Sequence, residues 1–297
     1  MDIFTHAVAI MVLLFATGNA VLLPFGVLGA VIIDIDMAYS LIARRNPSLY
    51  LLYHGGINHS IFGSTVLSVV AFGALLALSS AGLFPGPLQG TIVIPAFAAV
   101  LAGAYLHLFL DYLAAPGLPL LYPLTERRFG LSLFPMPLYF LITVLSLASL
   151  GSIFVWGLTP GLAEMYGVIC TGIIVLCLGM KWFVYQKVRG KSYQNFHSFQ
   201  WIVIQDAQAS YSVWVYDLFR GVTRKHIFEK YRNITPSDAL RYDNLPEVRR
   251  QKYFSYINTV EKNGGEVTFR DPVREEGLIS YPPWYPSVTI HPIEAAS

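Results

Sequence analysis

Apolar residues fill the first 180 positions in long blocks, and polar residues enter these blocks only as short clusters. Residues 61–83, 91–113, 137–158 and 162–183 each reach the roughly 20 residues that cross a hydrocarbon core. A further apolar stretch, 7–33, is interrupted by Gly18, Asn19, Pro24, Gly26 and Gly29. It suits one kinked span or a hairpin of two short helices turning at Gly18-Asn19. The hairpin is preferred, for a topological reason that charge supplies. Beyond residue 185 the pattern changes. Residues 201–205 and 211–219 are β-branched and aromatic, which predicts two strands joined across 206–210. Residues 246–262 predict an amphipathic helix, with Asn244 as its N-cap and Gly264-Gly265 ending it. Residues 266–270 predict another strand, and the stretch with Pro282, Pro283 and Pro286 an irregular tail. The fold class is therefore a multi-pass α-helical membrane domain followed by a small α+β soluble domain. Residues 1–185 form the first, with about 5–6 membrane segments, and residues 190–297 the second.

Composition supports the membrane assignment. The chain is 55% hydrophobic and 13% charged, whereas soluble domains carry roughly 25% charged residues. Arg44 and Arg45 follow the first apolar region, Arg127 and Arg128 follow residues 91–113, and Lys181 at the end of the last span is followed by Lys187, Arg189 and Lys191. The intervening loops, 84–90 and 159–161, contain no Lys or Arg. Alternate loops are thus basic, which places all three basic regions and the C-terminal domain on the cytoplasmic side. For His6 to share that side with the other polar clusters, residues 7–33 must return as a hairpin. Asp2 and His6 stand where a signal peptide needs positive charge, so the N-terminal segment is expected to be retained. A net charge of +2, with no basic arm, argues against direct nucleic acid binding. Cys170 and Cys177 lie seven apart on one apolar helix face, as a packed thiol pair.

The polar clusters carry the candidate chemistry. His107 and Asp111 are four apart, which puts them one helical turn apart on one face. His54-Gly-Gly-Ile-Asn-His59-Ser60 is a glycine-rich turn that lets two imidazoles converge, and a helix beginning near Ser60 favours anions. Asp34 and Asp36 end an apolar run, and Thr5-His6 lies at the start of the chain. An imidazole or carboxylate in such surroundings is costly unless it is paired or bound to a metal. Taken singly, each cluster also has a structural reading, as a helix lock, a watered loop or an interfacial stop. The common membrane face argues for a joint role. Imidazole and carboxylate ligands suit zinc, with manganese as the alternative, better than calcium.

Read in order, Met1-Asp2-Ile3-Phe4-Thr5-His6, Asp34-Ile35-Asp36, the His54–Ser60 turn and His107–Asp111 ahead of Pro116-Gly117 and Tyr122-Pro123 resemble a known family. It is the membrane-bound metal-dependent hydrolases, also described as LexA-binding, inner membrane-associated hydrolases (YdjM-like), and the resemblance covers residues 1–185. The spacing is more distantly similar to zinc-dependent phospholipases C and related nucleases. The resemblance implies a prokaryotic inner-membrane protein with a divalent metal and hydrolytic activity. The chain departs from the pattern at Gly55, where arginine is common, at Asn58, where threonine is common, and at 134–137, where an acidic residue is often seen.

The leading functional expectation is metal-assisted attack of water on an ester or phosphoester, one class of which is lipid-linked. His6, Asp36, His54, His59, His107 and Asp111 are the expected metal ligands. Asp34 is a further ligand or the general base that receives the water's proton. Ser60, Arg127 and Arg128 are the expected substrate-binding residues, Arg44 and Arg45 being other cations available for a phosphate. Two further readings are a structural metal with a partner-binding C-terminal domain and, less favoured, a transporter. His197, His226 and His291 match no ligand spacing. Phe196 and its aromatic neighbours form either an interfacial belt or part of the C-terminal core.

Overall fold

The first helix, α1 (Ile3–Ala16), starts where the Asp2 carboxylate accepts from the Thr5 amide at 2.9 Å, a capping bond that satisfies an otherwise orphaned donor. In this computed structural model, which describes residues 1–83, 88–114, 116–195, 199–282 and 284–291, the chain then reverses at Gly18, whose φ of +75° costs glycine little. α2 (Leu23–Ile32) packs back against α1. The interrupted stretch is thus a helical hairpin. Pro24 sits in the first turn of α2, where a missing N–H loses nothing. Gly26 and Gly29 lie inside α2 and are packing positions, not breaks.

A single 3-10 turn, Ile33–Ile35, leads into α3 (Asp36–Arg45). Arg44 and Arg45, expected in a loop, occupy the last turn of this helix. Its buried residues are Asp36, Ser40 and Ala43, while Met37, Leu41 and Ile42 are exposed. That is the inverse of the pattern that marks a helix on a soluble core. The remaining long helices are α4 (Ile61–Ser80), α5 (Val93–Leu113), α6 (Met136–Trp156) and α7 (Pro160–Lys187), close to the expected spans. Among the described residues, five helical segments are long and apolar enough to cross a membrane: Ala20–Arg45, Ile61–Ser80, Gly90–Leu113, Met136–Trp156 and Pro160–Lys187.

The approach of α2 to α5 sets the site. A Cβ built on Gly29 would stand 1.9 Å from the Val100 carbonyl oxygen, and one on Gly103 would stand 2.0 Å from the Gly26 oxygen. Only glycine permits backbones this near, the small-residue device of membrane helix pairs. Ile10, Leu14, Phe25, Phe72, Ala96, Ala99 and Val100 close the core around this contact. On the far side α1 meets α6 through polar groups. Asp2 accepts from the Thr143 hydroxyl at 2.8 Å, and Thr5 Oγ1 lies 3.1 Å from Ser146 Oγ.

The chain separates into two compact units, Met1–Arg45 with Leu51–Leu176, and Asn46–Tyr50 with Cys177–Ser297. The second holds an antiparallel sheet of β1 (Lys191–Gln194), β2 (Gln200–Asp206), β3 (Ser210–Asp217) and β4 (Gly221–Glu229) in that order. A second sheet follows in the order β5 (Tyr231–Arg232), β6 (Thr259–Asn263), β7 (Glu266–Arg270) and β8 (Ser287–Ile290), with β5 parallel to β6. Three short helices accompany them, α8 (Pro236–Leu240), α9 (Pro246–Phe254) and α10 (Pro272–Glu275). This is a small α+β domain, as its composition predicts.

Details differ from the sequence reading. The predicted helix 246–262 ends at Phe254, and Thr259–Asn263 is a strand. Gly264 and Gly265 turn a β6–β7 hairpin in which Asn263 pairs with Glu266; two-residue glycine turns match the twist of paired strands. The helix is capped at Leu245, not Asn244. Phe219 lies past β3, in a turn where Asp217 Oδ1 accepts from the Phe219 and Arg220 amides. The tail expected to be irregular contributes β8. Buried Arg274 organises its approach, bonding Asp271 Oδ2 at 2.9 Å and the carbonyls of Pro282, Trp284 and Tyr285 at 2.7–2.9 Å. His226 lies 3.1 Å from Glu276, and His291 3.2 Å from Glu266. Phe196, His197, Pro283 and residues 84–87 lie outside the described residues.

Candidate metal centre

Four segments deliver their polar residues to one place: the start of α1, the corner between α2 and α3, the turn before α4 and the last turns of α5. Each does so for a local reason. The cap at Asp2 fixes the first turn of α1, and with it His6. Glycine–glycine contact brings the end of α2 onto α5, so that the Ala30 carbonyl accepts from His107 Nδ1 at 2.7 Å. A carbonyl cannot donate, so this bond protonates Nδ1 and leaves the Nε2 lone pair facing the cluster. The histidine turn is shaped by Gly55, at φ +78°, and by Gly56, where a Cβ would stand 1.9 Å from the Leu51 oxygen. Asn58 Nδ2 donates to the Ile33 carbonyl at 3.1 Å, tying that turn to the aspartate corner.

The distances describe one continuous group. His107 Nε2 lies 3.4 Å from Asp111 Oδ2, 3.5 Å from Asp34 Oδ1 and 3.2 Å from His59 Nε2. The His6 ring stacks on His107 with centroids 3.7 Å apart, and its Nε2 is 3.2 Å from Asp111 Oδ1. His59 Nε2 is 3.4 Å from Asp34 Oδ1 and 3.3 Å from Asp111 Oδ2, while its Nδ1 is 3.0 Å from Asp36 Oδ2. His54 Nδ1 donates to Asp36 Oδ1 at 2.8 Å. The Met1 amine also faces Asp111. Three triads arise, each with ligand atoms within 4.8 Å of one another: His6–His107–Asp111, Asp34–His59–His107 and Asp36–His54–His59. Because Ala30 holds His107 Nδ1, the first two triads share a single donor atom.

The donor set fits a divalent cation. Both ring nitrogens of His6, Asp34 Oδ1 and His59 Nδ1 are buried without a hydrogen-bond partner. His6 Nε2 and His59 Nδ1 do lie near carboxylate oxygens, but these contacts lack hydrogen-bond alignment. Orphaned buried donors and acceptors are costly, and a cation among them removes that cost. Imidazole nitrogen with carboxylate oxygen is the chemistry of zinc or manganese, not of an all-oxygen calcium site. Burial would lower the His59 pKa, but the close carboxylates of Asp34 and Asp36 outweigh it and hold the imidazole above its ordinary range. His6, His59 and His107 are fully buried, whereas the His54 side chain is 30% exposed and marks where the cluster opens.

All seven sequence-predicted ligand candidates therefore meet. The three expected substrate-binding residues do not join them in the same way. Ser60 Oγ donates to the Ile57 carbonyl at 2.7 Å and accepts from the Gly63 amide at 2.9 Å, as the cap of α4. Arg128 donates from Nε and Nη2 to the Gly117 carbonyl at 3.1 and 2.9 Å, closing a loop whose Leu118 and Phe129 pair. Arg127 is exposed, 5.7 Å over the Phe129 ring. Sequence reasoning missed the Ala30 carbonyl, and it read the small residues of α2 as helix breaks. The usable signal was the small-residue spacing Gly26, Gly29, Ala30 on one helix and Ala96, Ala99, Gly103 on another.

A family model, the YdjM inner membrane protein, matches residues 1–188. No curated protein and no solved structure matches the chain.

Proposed function

The chain belongs to the YdjM inner membrane protein family, and from that premise we propose that it is a metal-dependent membrane hydrolase acting on an ester or phosphoester. The observation that carries this reading is the convergence of seven His and Asp side chains, several with orphaned buried donor atoms, from four separated segments. His6, Asp36, His54, His59, His107 and Asp111 would hold one or two ions, zinc or manganese. A divalent metal supplies Lewis acidity toward a carbonyl or phosphoryl oxygen and makes water acidic near neutral pH. The chain's own residues do the rest. Ala30 fixes the His107 tautomer, Asp36 orients His54, and Asp34 Oδ1, ringed by imidazoles and unpartnered, takes the proton that attacking water must lose. Residues 1–185 form the membrane domain of a multi-pass prokaryotic inner-membrane protein. Residues 190–297 form a cytoplasmic domain, as the alternating basic loops support.

A structural metal is the second reading, and one observation favours it. Three of the four histidines are fully buried, so an ion there would clamp α1, the α2–α3 corner and α5 whether or not substrate reached it. Metal analysis of purified protein beside a His107→Ala/Asp111→Ala variant tests both readings. Metal in the wild type and its loss in the variant, together with turnover of a phosphoester or phospholipid panel, is the expected result. Equal metal in both sinks the centre. Metal lost without any turnover in the wild type leaves the structural clamp.

A further inference from the structure

Two elements beside the cluster share an unusual arrangement, exposed aliphatic side chains followed by arginines. On α3, Met37, Leu41 and Ile42 are 60–61% exposed, and Arg44 and Arg45 end the helix. On the loop after α5, Leu121 and Leu124 are 46% and 88% exposed, and Arg127 follows them. Both elements spring from the site. α3 begins with Asp36 itself, while Leu118 at the base of the loop packs against Ile33 and Leu108, and the Leu120 carbonyl accepts from the Ile61 amide at 3.0 Å.

The buried face of α3 is Asp36, Ser40 and Ala43; Asp36 serves the cluster, while the face with Met37, Leu41 and Ile42 is exposed among the described residues. In water, aliphatic patches on two adjacent elements would be a liability; in lipid they are ordinary. Their place along the chain adds a depth. α3 closes the apolar segment Ala20–Arg45, and from Asp36 to Arg44 it rises about 12 Å along its axis, more than the roughly 5–7 Å of one headgroup layer. Lipid-type surface thus continues beyond the cluster before the first arginine appears. Arginines with buried stems and charged heads mark the phosphate level of an anionic leaflet.

We propose that α3 and the 118–129 loop form a lipid-embedded rim that seats the His/Asp cluster below the phosphate plane, with Arg44, Arg45 and Arg127 engaging the headgroups of anionic phospholipids. This deepens the hydrolase reading and rests on it for the chemistry: the bond within reach is that of a membrane-resident lipid. The 118–129 loop meets the start of α4 through the Leu120–Ile61 bond, and α4 exposes Ile61, Phe62, Val66 and Val70 in turn. The basic ends complement an anionic surface.

The test uses the full chain in vesicles of phosphatidylcholine and phosphatidylglycerol, carrying Cys170→Ser and Cys177→Ser. Nitroxides are placed through Leu41→Cys or Leu124→Cys, with Val70→Cys as lipid reference and Lys225→Cys as aqueous reference. Positions 41 and 124 should collide with oxygen in several-fold preference to a water-soluble nickel chelate, as position 70 does. A chelate preference like that of position 225 overturns the rim. In a second arm, spin-labelled phosphatidylglycerol should be enriched around the wild type over phosphatidylcholine, and Arg44→Gln/Arg45→Gln/Arg127→Gln should remove that enrichment. Retained enrichment overturns the headgroup contact. Added inorganic phosphate should leave the enrichment unchanged, and its loss would show that the arginines hold a free anion instead. Metal content measured on the same samples separates these failures from failure of the centre itself.

Discussion

Gly29 touches no candidate ligand, yet the packing makes it a control point for the cluster. A methyl group added there would meet the Val100 carbonyl oxygen at 1.9 Å, and contacts under 3.0 Å are not sustained by real Cβ atoms. Because the obstacle is backbone, Gly29→Ala must part α2 from α5 by about 1 Å. Ala30 is the next residue, and its bond to His107 Nδ1 is 2.7 Å long. The same displacement carries that bond past the roughly 3.2 Å limit of ordinary N–H···O bonds. Overpacking of this kind costs about 1–3 kcal/mol, and loss of a partner that orients a ligating histidine costs about 10–100-fold in metal affinity. The matched control is Gly73→Ala on α4, where an added Cβ meets nothing within 4 Å and helix propensity favours alanine by about 0.5–1 kcal/mol. Chelator competition for zinc, with thermal unfolding in the same detergent, measures both effects. Gly29→Ala should bind metal more weakly and melt lower, and Gly73→Ala should do neither. A Gly29→Ala protein that binds zinc as tightly as the wild type would refute the link from helix packing to ligand orientation.

Other consequences are smaller in reach. Asn58→Ala removes the bond to the Ile33 carbonyl; it should cost about 1 kcal/mol and weaken zinc binding in the same competition assay. Arg274→Met leaves buried Asp271 without its cation and three carbonyls without a donor, a change of about 3–5 kcal/mol that hydrogen exchange in the C-terminal unit should report; unchanged exchange there would count against it. Imidazole ligands bind metal only when neutral, and His59 is held above its ordinary range, so zinc loading should begin to fall above the ordinary imidazole pKa of about 6.5 and continue below it. A loading curve flat from pH 8 to about 5 would speak against histidine ligation.

Much of this protein was legible in one dimension. Apolar runs of about 20 residues can satisfy their backbone in lipid only as helices, so α4 to α7 follow from length and composition. The residue types of the centre were equally plain, because a histidine or carboxylate beside such runs is too costly to be incidental. Strands β2 and β3 announced themselves by their β-branched and aromatic content. Where two structures compete for one pattern, the sequence misled: Val260 suits a helix face as well as a strand, and its pairing with Phe269 of β7 decided for the strand. Gly26 and Gly29 could break a helix or let another approach it, and only the presence of α5 settles which. Most of all, no spacing places His6 against His107, 101 positions away. The sequence by itself determined the spans, the polar residue types of the cluster and the family. The tertiary structure decided which nitrogen faces the cluster and which donors are orphaned, because both depend on backbone groups, such as the Ala30 carbonyl, that every residue carries and no sequence pattern marks.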